Sequence, residues 1–249
     1  MMLGSSHLGM MGGGGSLSGS AIHFNGSTYI HRNAALTGAV RGYQGTLSFW
    51  HKIAAANISD DMYFADGGSV EPYRSSTSGF GIGILTYDQS TSFSVASTIN
   101  FISADAWHHL LVSWDTNHAS GSKVYSFIYD GSSYGSVTVY DDYPAFIDGY
   151  DFHDFSVGAG VGGWTKATCD IAEFYLNTVT AITDVTKFRN ASTGKPVNLG
   201  NDGSLPTGAP PMIYLSATAT ANDFLTNHGV GGNFIVAAGA LSVASTSPF

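Results

Sequence analysis

The sequence predicts an all-β fold: a two-sheet β-sandwich of jelly-roll type with an irregular N-terminal arm and a C-terminal extension. Three observations carry that expectation. Short runs of strand character recur at ~8–12-residue spacing with turn residues between them. A helical pattern is plausible only around residues 183–188, where Thr183 or Asp184 can cap a turn. The stretch Ala106-Trp-His-His-Leu-Leu-Val-Ser-Trp-Asp115 alternates without a break, with His108, Leu110, Val112 and Trp114 on one face and Trp107, His109, Leu111 and Ser113 on the other. Both faces are largely apolar, which predicts a central strand covered on both sides.

Taken in order, residues 1–20 are rich in Gly, Ser and Met and form no packed element by themselves. They read either as a tail or as an arm that orders on a neighbouring subunit through Leu3, Leu8, Met10 and Met11. Residues 21–24 and 28–31 flank Asn25-Gly26, a hairpin signal. Residues 46–53 alternate Leu47, Phe49, His51 and Ile53 against Ser48, Trp50 and Lys52. Further strands are expected over 61–65, 80–87 and 93–102. The mid-chain pair 106–115 and 123–129 follows, closing on Asp130-Gly131-Ser132, and then 136–140, 155–158 and 170–176. After Phe188 the chain becomes irregular and turn-rich, with two more strands at 212–215 and 233–236. A free domain of about sixty residues would be small for an independent core, so residues 191–249 read as an extension packed on the 21–190 sandwich.

Composition narrows the function classes. Charged residues make up 11% of the 249 residues, against ~25% in an average domain. The net charge is −9 with only nine Lys and Arg, and no basic run forms a patch, which argues against nucleic-acid binding. The single cysteine, Cys169, excludes an intrachain disulfide framework and reads as a small buried apolar residue. No apolar run of ~20 residues is present to span a membrane. The N-terminus lacks the basic and apolar regions of a secretory signal. A surface of extracellular character without such a signal points to synthesis in a host cytoplasm and release by another route, such as lysis by a virus. Three Asn-x-Ser sequons, at Asn25, Asn57 and Asn190, then read as chance.

The ordered series of segments resembles a known superfamily. Ala21-Ile-His-Phe-Asn-Gly-Ser-Thr-Tyr-Ile30, Thr46-Leu-Ser-Phe-Trp50, Trp107-His-His-Leu-Leu-Val-Ser-Trp-Asp115, Phe127-Ile-Tyr-Asp-Gly131, Phe155-Ser-Val-Gly158 and Cys169-Asp-Ile-Ala-Glu-Phe-Tyr175 are similar, in that order, to the strands of concanavalin A-like, laminin-G-type jelly rolls. The likeness covers roughly residues 20–190. The tail, from Gly194-Lys-Pro-Val-Asn-Leu-Gly-Asn-Asp-Gly-Ser204 to Thr226-Asn-His-Gly-Val-Gly-Gly-Asn-Phe234, resembles the C-terminal part of laminin-G-like proteins of tailed-phage genomes.

The resemblance brings catalysis into question, because retaining glucanases of this fold carry Glu-x-Asp-x-x-Glu on one strand. The matching run here is Thr168-Cys-Asp170-Ile-Ala-Glu173, with threonine where the nucleophile should stand. The one other glutamate, Glu71, falls in an expected loop. A two-carboxylate hydrolase, which needs its carboxyl groups ~5–5.5 Å apart, is therefore poorly supported, and no catalytic residue is assigned. Some laminin-G modules hold Ca²⁺ through paired Asp, and the loop residues Asp141, Asp142, Asp148 and Asp151 offer the hard oxygen ligands such an ion takes. Asx-turns account for the same residues without an ion. His108 and His109 point to opposite faces and cannot chelate together. Tyr134, Tyr140, Tyr143, Tyr150, Phe152 and Trp164, interleaved with Asp and Gly, form a composition compatible with a glycan or partner contact surface.

The resulting expectation is a non-enzymatic virion protein of a tailed bacteriophage, either a tail appendage or a head decoration or fibre protein. Its partners would be other virion proteins, further copies of itself and host surface polysaccharide. The alternative is a free carbohydrate-binding module or remnant glycosidase of the same fold.

Overall fold

A computed structural model describes residues 19–53, 61–65, 70–75, 79–85, 92–96, 106–117, 124–133, 136–139 and 155–249. These residues form strands β1 (Ile22–Asn25), β2 (Tyr29–Arg32), β3 (Gln44–Ile53), β4 (Asp61–Met62), β5 (Phe64–Ala65) and β6 (Val70–Ser75). Then come β7 (Gly79–Leu85), β8 (Ser92–Ala96), β9 (Trp107–Asp115), β10 (Val124–Tyr129), β11 (Ser132–Ser133) and β12 (Ser136–Val139). The last five are β13 (Phe155–Val157), β14 (Thr168–Asn177), β15 (Ile213–Leu215), β16 (Ile235–Ala238) and β17 (Ser242–Val243). The largest sheet runs β11-β10-β9-β3-β14-β1-β17, with β15 also paired to β14; the others run β12-β8-β7-β6-β4 and β16-β2-β13-β5. The fold is the predicted all-β sandwich of jelly-roll type.

The central strand is β9, paired antiparallel to β3 and β10. Its Leu110, Val112 and Trp114 enter the main core between sheets, with Leu47, Phe49, Ile171 and Phe174 from the same sheet and Ile30, Phe64, Phe155 and Val157 from the four-stranded one. The opposite face is covered as well, and the chain's own later segments cover it. Leu111 packs with Ile128, Tyr175, Ile182, Phe188, Leu199 and Tyr214, while Trp50, Ala172 and Ala21 pack with Trp107 and Ala244. Burying each large apolar side chain contributes about 1.5–3 kcal/mol, as an upper estimate. Polar residues on this covered face are matched to backbone. Thr46 Oγ1 donates to the Thr180 carbonyl and accepts from Ile182 N–H, each at 2.7 Å, and Ser113 donates to the Ile182 carbonyl. Without these partners the buried hydroxyls would be costly.

Local signals mostly resolve as their chemistry dictates. Asp130 and Gly131 both take positive φ, +50° and +83°, the requirement of a two-residue hairpin turn joining β10 to β11. The one expected helix is a single 3-10 turn, Val185–Lys187, with the Asp184 side chain accepting from Thr186 N–H. A second 3-10 turn, Ala221–Leu225, arises where no helix was expected. Its anchor is the Asp223 carboxylate, which accepts from Ala219 N–H, Thr220 N–H, and the Thr218 and Thr220 hydroxyls. These bonds hold its carboxyl well below the usual range.

Three expectations fail: Glu71, expected in a loop, lies in β6, the run 61–65 splits into β4 and β5 of different sheets, and the expected hairpin is absent. Asn25-Gly26 does not join a hairpin, because β1 pairs with β14 and β17 while β2 pairs with β13 and β16. The turn carries the chain from one sheet to the other. Asn25 Oδ1 accepts from Ser27 N–H and Thr28 N–H, both at 3.0 Å, and Gly26 N–H donates to the Ala167 carbonyl at 2.9 Å. The Asx-turn supplies the reversal, while the burial of Phe24 and Ile30 in the inter-sheet core sends the two strands to different sheets.

Candidate functional site

The loop from β13 to β14 carries the candidate site. Residues 158–163 read Gly-Ala-Gly-Val-Gly-Gly, and Trp164, Thr165 and Lys166 follow. Gly160 N–H donates to the Trp164 carbonyl and Gly163 N–H to the Gly160 carbonyl, each at 2.8 Å, which closes the loop on itself. The Trp164 indole rests on Gly160: a Cβ there would lie 2.3 Å from Cε2 and 2.5 Å from Cδ2. Only glycine leaves that space. Trp164 is nonetheless 50% exposed, so the indole is supported by backbone on one side and open to solvent elsewhere.

The neighbouring strand completes the surface. The Tyr29 ring of β2 lies under Gly163, whose φ is +81° and where a Cβ would come within 2.8 Å of the ring. Lys166 Nζ sits 5.6 Å from the Tyr29 centroid and donates to the Gly163 carbonyl at 2.5 Å, a cation–π arrangement that fixes the ammonium beside the loop. Tyr29 and His31 meet edge to face at 6.0 Å. Ile235 of β16, the register partner of His31, is exposed on the same side. The arrangement offers an aromatic plane, a second aromatic ring and a fixed cationic donor on a hydrogen-bonded loop. Chemically it suits a ligand with an apolar ring face and peripheral hydroxyl or acidic groups.

Of the sequence-predicted contact residues, Trp164 is placed at this site. Tyr134, Tyr140, Tyr143, Tyr150 and Phe152 lie outside the described residues, as do Asp141, Asp142, Asp148 and Asp151 and the arm positions Leu3, Leu8, Met10 and Met11. Among the described residues no group of three or more His, Cys, Asp or Glu is placed to hold a metal ion, and no helix is long and apolar enough to cross a membrane. Tyr29 and Lys166 escaped the sequence reading. The readable signal was the glycine run ending in Trp-x-Lys.

The two acidic residues of β14 have separate partners. The pairing with β3 shifts between Ala172 and Tyr175, and Glu173 within that bulge takes φ +50°. Asp170 bonds His23 Nδ1 at 2.7 Å. Glu173, almost fully buried, accepts from the Tyr214 hydroxyl at 2.7 Å and from Ser216 at 2.5 Å. Burial raises its pKa, partly offset by those two donors, and burial together with the Glu173 charge raises that of Tyr214.

The adjacent histidines of β9 also separate by face, as alternation requires. His108 Nδ1 bonds Asp130 Oδ2 at 2.6 Å and stacks on Tyr129, with ring centroids 5.2 Å apart. Burial pushes the Asp130 carboxyl up, but its bonds to the His108 ring and the His109 N–H outweigh this and set it below the usual value. His109 is fully buried between Trp50 and Phe188, its Nε2 2.9 Å from Ser48 Oγ. Burial pushes its pKa down to about 3, so the ring is neutral at physiological pH.

With this geometry in view, solved structures share the jelly-roll fold at low sequence identity. A Bacteroides ovatus protein to which carbohydrate binding is attributed superposes with a TM-score of 0.62 at 10% identity, over 92% of this chain and 61% of its own; the chain thus spans less than two thirds of that protein. The heptameric SAP-like pentraxin of Limulus polyphemus superposes with a TM-score of 0.56 at 11% identity, over 93% of this chain and 98% of its own. Domains LG4-5 of the mouse laminin α1 chain give a TM-score of 0.44 at 10% identity, over 67% of this chain and 43% of theirs. No family model matches the sequence, and no curated protein matches it.

Proposed function

We propose that the chain is a non-catalytic, lectin-like protein that binds glycans at the Trp164 face. The observation that carries this reading is the seat of Trp164 on Gly160, which supports a half-exposed indole from behind and leaves it open to stack on a pyranose ring. Tyr29 and Lys166 supply a second ring and a donor for sugar oxygens. The carbohydrate binding attributed to the Bacteroides ovatus protein of like fold is in keeping with it.

The setting we infer is the virion of a tailed phage, as a tail appendage or a head decoration or fibre protein made in the host cytoplasm. What supports it is the weakly charged, Gly- and aromatic-rich composition, suited to assembly contacts, and the resemblance of residues 194–234 to phage laminin-G-like proteins. On this reading residues 1–20 form the docking arm, 21–190 the jelly roll and 191–249 the extension, and repeated copies turn weak single-site glycan contacts into firm attachment. A remnant glycosidase has less support, since Glu173 is buried against Tyr214 and Ser216; a free carbohydrate-binding module is the alternative setting for the same glycan binding.

The test is a glycan microarray probed with the full chain and with Trp164→Ala. Binding to a defined set of glycans, reduced roughly tenfold or more by the substitution at unchanged Tm, is the expected result. No glycan bound, or undiminished binding by the variant, overturns it. Mass spectrometry of purified phage particles tests the setting; absence of the chain from them removes it.

A further inference from the structure

A second surface lies on the outer face of the largest sheet, away from Trp164. Four strands bring one residue each into a single transverse row. Trp107 is the register partner of Lys52, Lys52 of Asp170, and Asp170 of His23. Directly paired residues share a face, so an indole, an ammonium, a carboxylate and an imidazole stand side by side across β9, β3, β14 and β1. Three strand spacings of ~4.8 Å make the row roughly 14 Å long, the reach of a short oligosaccharide.

The chain itself lies over one end of this row. Thr246 Oγ1 accepts hydrogen bonds from Lys52 Nζ at 3.1 Å and Trp107 Nε1 at 3.2 Å. Upstream, Ala244 packs on Ala21, Trp50 and Ala172, and its N–H donates to the Ala21 carbonyl at 2.8 Å. Downstream, the Phe249 ring fills the space at Gly19, where a Cβ would lie 2.2 Å from it. The bonds to Thr246 join exposed groups, for which water competes. An indole N–H and an ammonium converging on one aliphatic hydroxyl, with a carboxylate next in the row, is the donor and acceptor set a pyranose hydroxyl pattern calls for.

We propose that the row Trp107–Lys52–Asp170–His23 is a second saccharide-binding site held closed by residues 244–249, with the Thr246 hydroxyl standing where a sugar hydroxyl binds. Release of the strap opens it: Trp107 Nε1 and Lys52 Nζ donate to sugar hydroxyls and Asp170 accepts from one.

The experiment is run in the Trp164→Ala background, so that the two sites report separately. A glycan microarray is probed with that chain, with the same chain ending at Ser245, and with a full-length form carrying Thr246→Gly and Phe249→Gly. The last loosens the strap without shortening the chain and leaves β17 in place. The unreleased chain is expected to show only its weak residual signal and both released forms to bind, with at least a tenfold rise above that level that Trp107→Ala or Lys52→Ala removes. Should the shortened chain fail to fold, judged by its thermal transition, the glycine form decides alone. Folded released forms with no added binding overturn the strap site. Binding by the unreleased Trp164→Ala chain as strong as the parent's overturns the Trp164 reading instead, and the strap site then stands or falls on whether release adds signal above that level.

Discussion

The Tyr214 hydroxyl donates to the Glu173 carboxylate at 2.7 Å, tying β15 to the bulge of β14 through a nearly buried acid. The folded-state pKa of Glu173 lies above its ordinary 4.5. Its contribution to stability is therefore fully present below pH 4.5 and is lost as pH rises through the folded value. Glu173→Gln keeps an acceptor for Tyr214 and carries no charge. It is expected to be more stable than the parent at pH 8 by on the order of 1 kcal/mol, with the difference closing near pH 4. Urea unfolding across that range checks it, and parallel pH profiles for the two chains would refute it.

His109 titrates with the opposite sign. Its pKa is pushed down to about 3 from an ordinary 6.5, so below pH 6.5 the unfolded chain binds a proton that the folded chain refuses. Stability is complete above pH 6.5 and falls by about 1.4 kcal/mol per pH unit as pH drops toward 3. His109→Gln retains a partner for Ser48 and removes the proton site. Its acid-unfolding midpoint is expected to move to lower pH, as followed by circular dichroism. An unmoved midpoint assigns the acid sensitivity to another group.

The sequence told most where one residue property decides the outcome. Strict alternation at residues 106–115 made β9 a doubly covered strand, and the sandwich bears this out, because alternating apolar character on two faces demands two covers. Asp130-Gly131 gave its turn because few residue pairs accept two positive φ values. Asn25-Gly26 misled, because an Asx-turn fixes a reversal of the chain but does not choose the partners of the strands it joins. Trp164 stood out in the sequence among the aromatic residues expected at a surface, and it is half-exposed. Its setting was not legible, since the approach of Tyr29 and Lys166 depends on pairing between strands more than a hundred residues apart in sequence.

Asn25 tests how that crossing turn is held. Its Oδ1 accepts two backbone N–H groups, and Asn25→Ala leaves both without that acceptor. A loss of about 1–2 kcal/mol is expected by urea unfolding, while Asn25→Asp, which keeps the acceptor, stays within about 0.5 kcal/mol. Equal losses for the two would mean that the side-chain amide N–H groups matter, and the Asx-turn account would fail.

The seat of Trp164 is open to a paired test at Gly160 and Gly162. Gly160→Ala places a Cβ 2.3 Å from the indole, so the ring must leave its support. Gly162 takes φ +73° with nothing within 4 Å of an added Cβ, so Gly162→Ala strains the same loop by about 1–2 kcal/mol without touching the ring. If a fixed indole plane is what binds glycans, Gly160→Ala lowers microarray binding about tenfold and shifts Trp fluorescence to the red. Gly162→Ala keeps binding within about twofold at a comparable drop in Tm, because the stacked plane stays where it was. Equal loss of binding in both variants would tie recognition to the order of the loop as a whole and not to the backbone beneath Trp164.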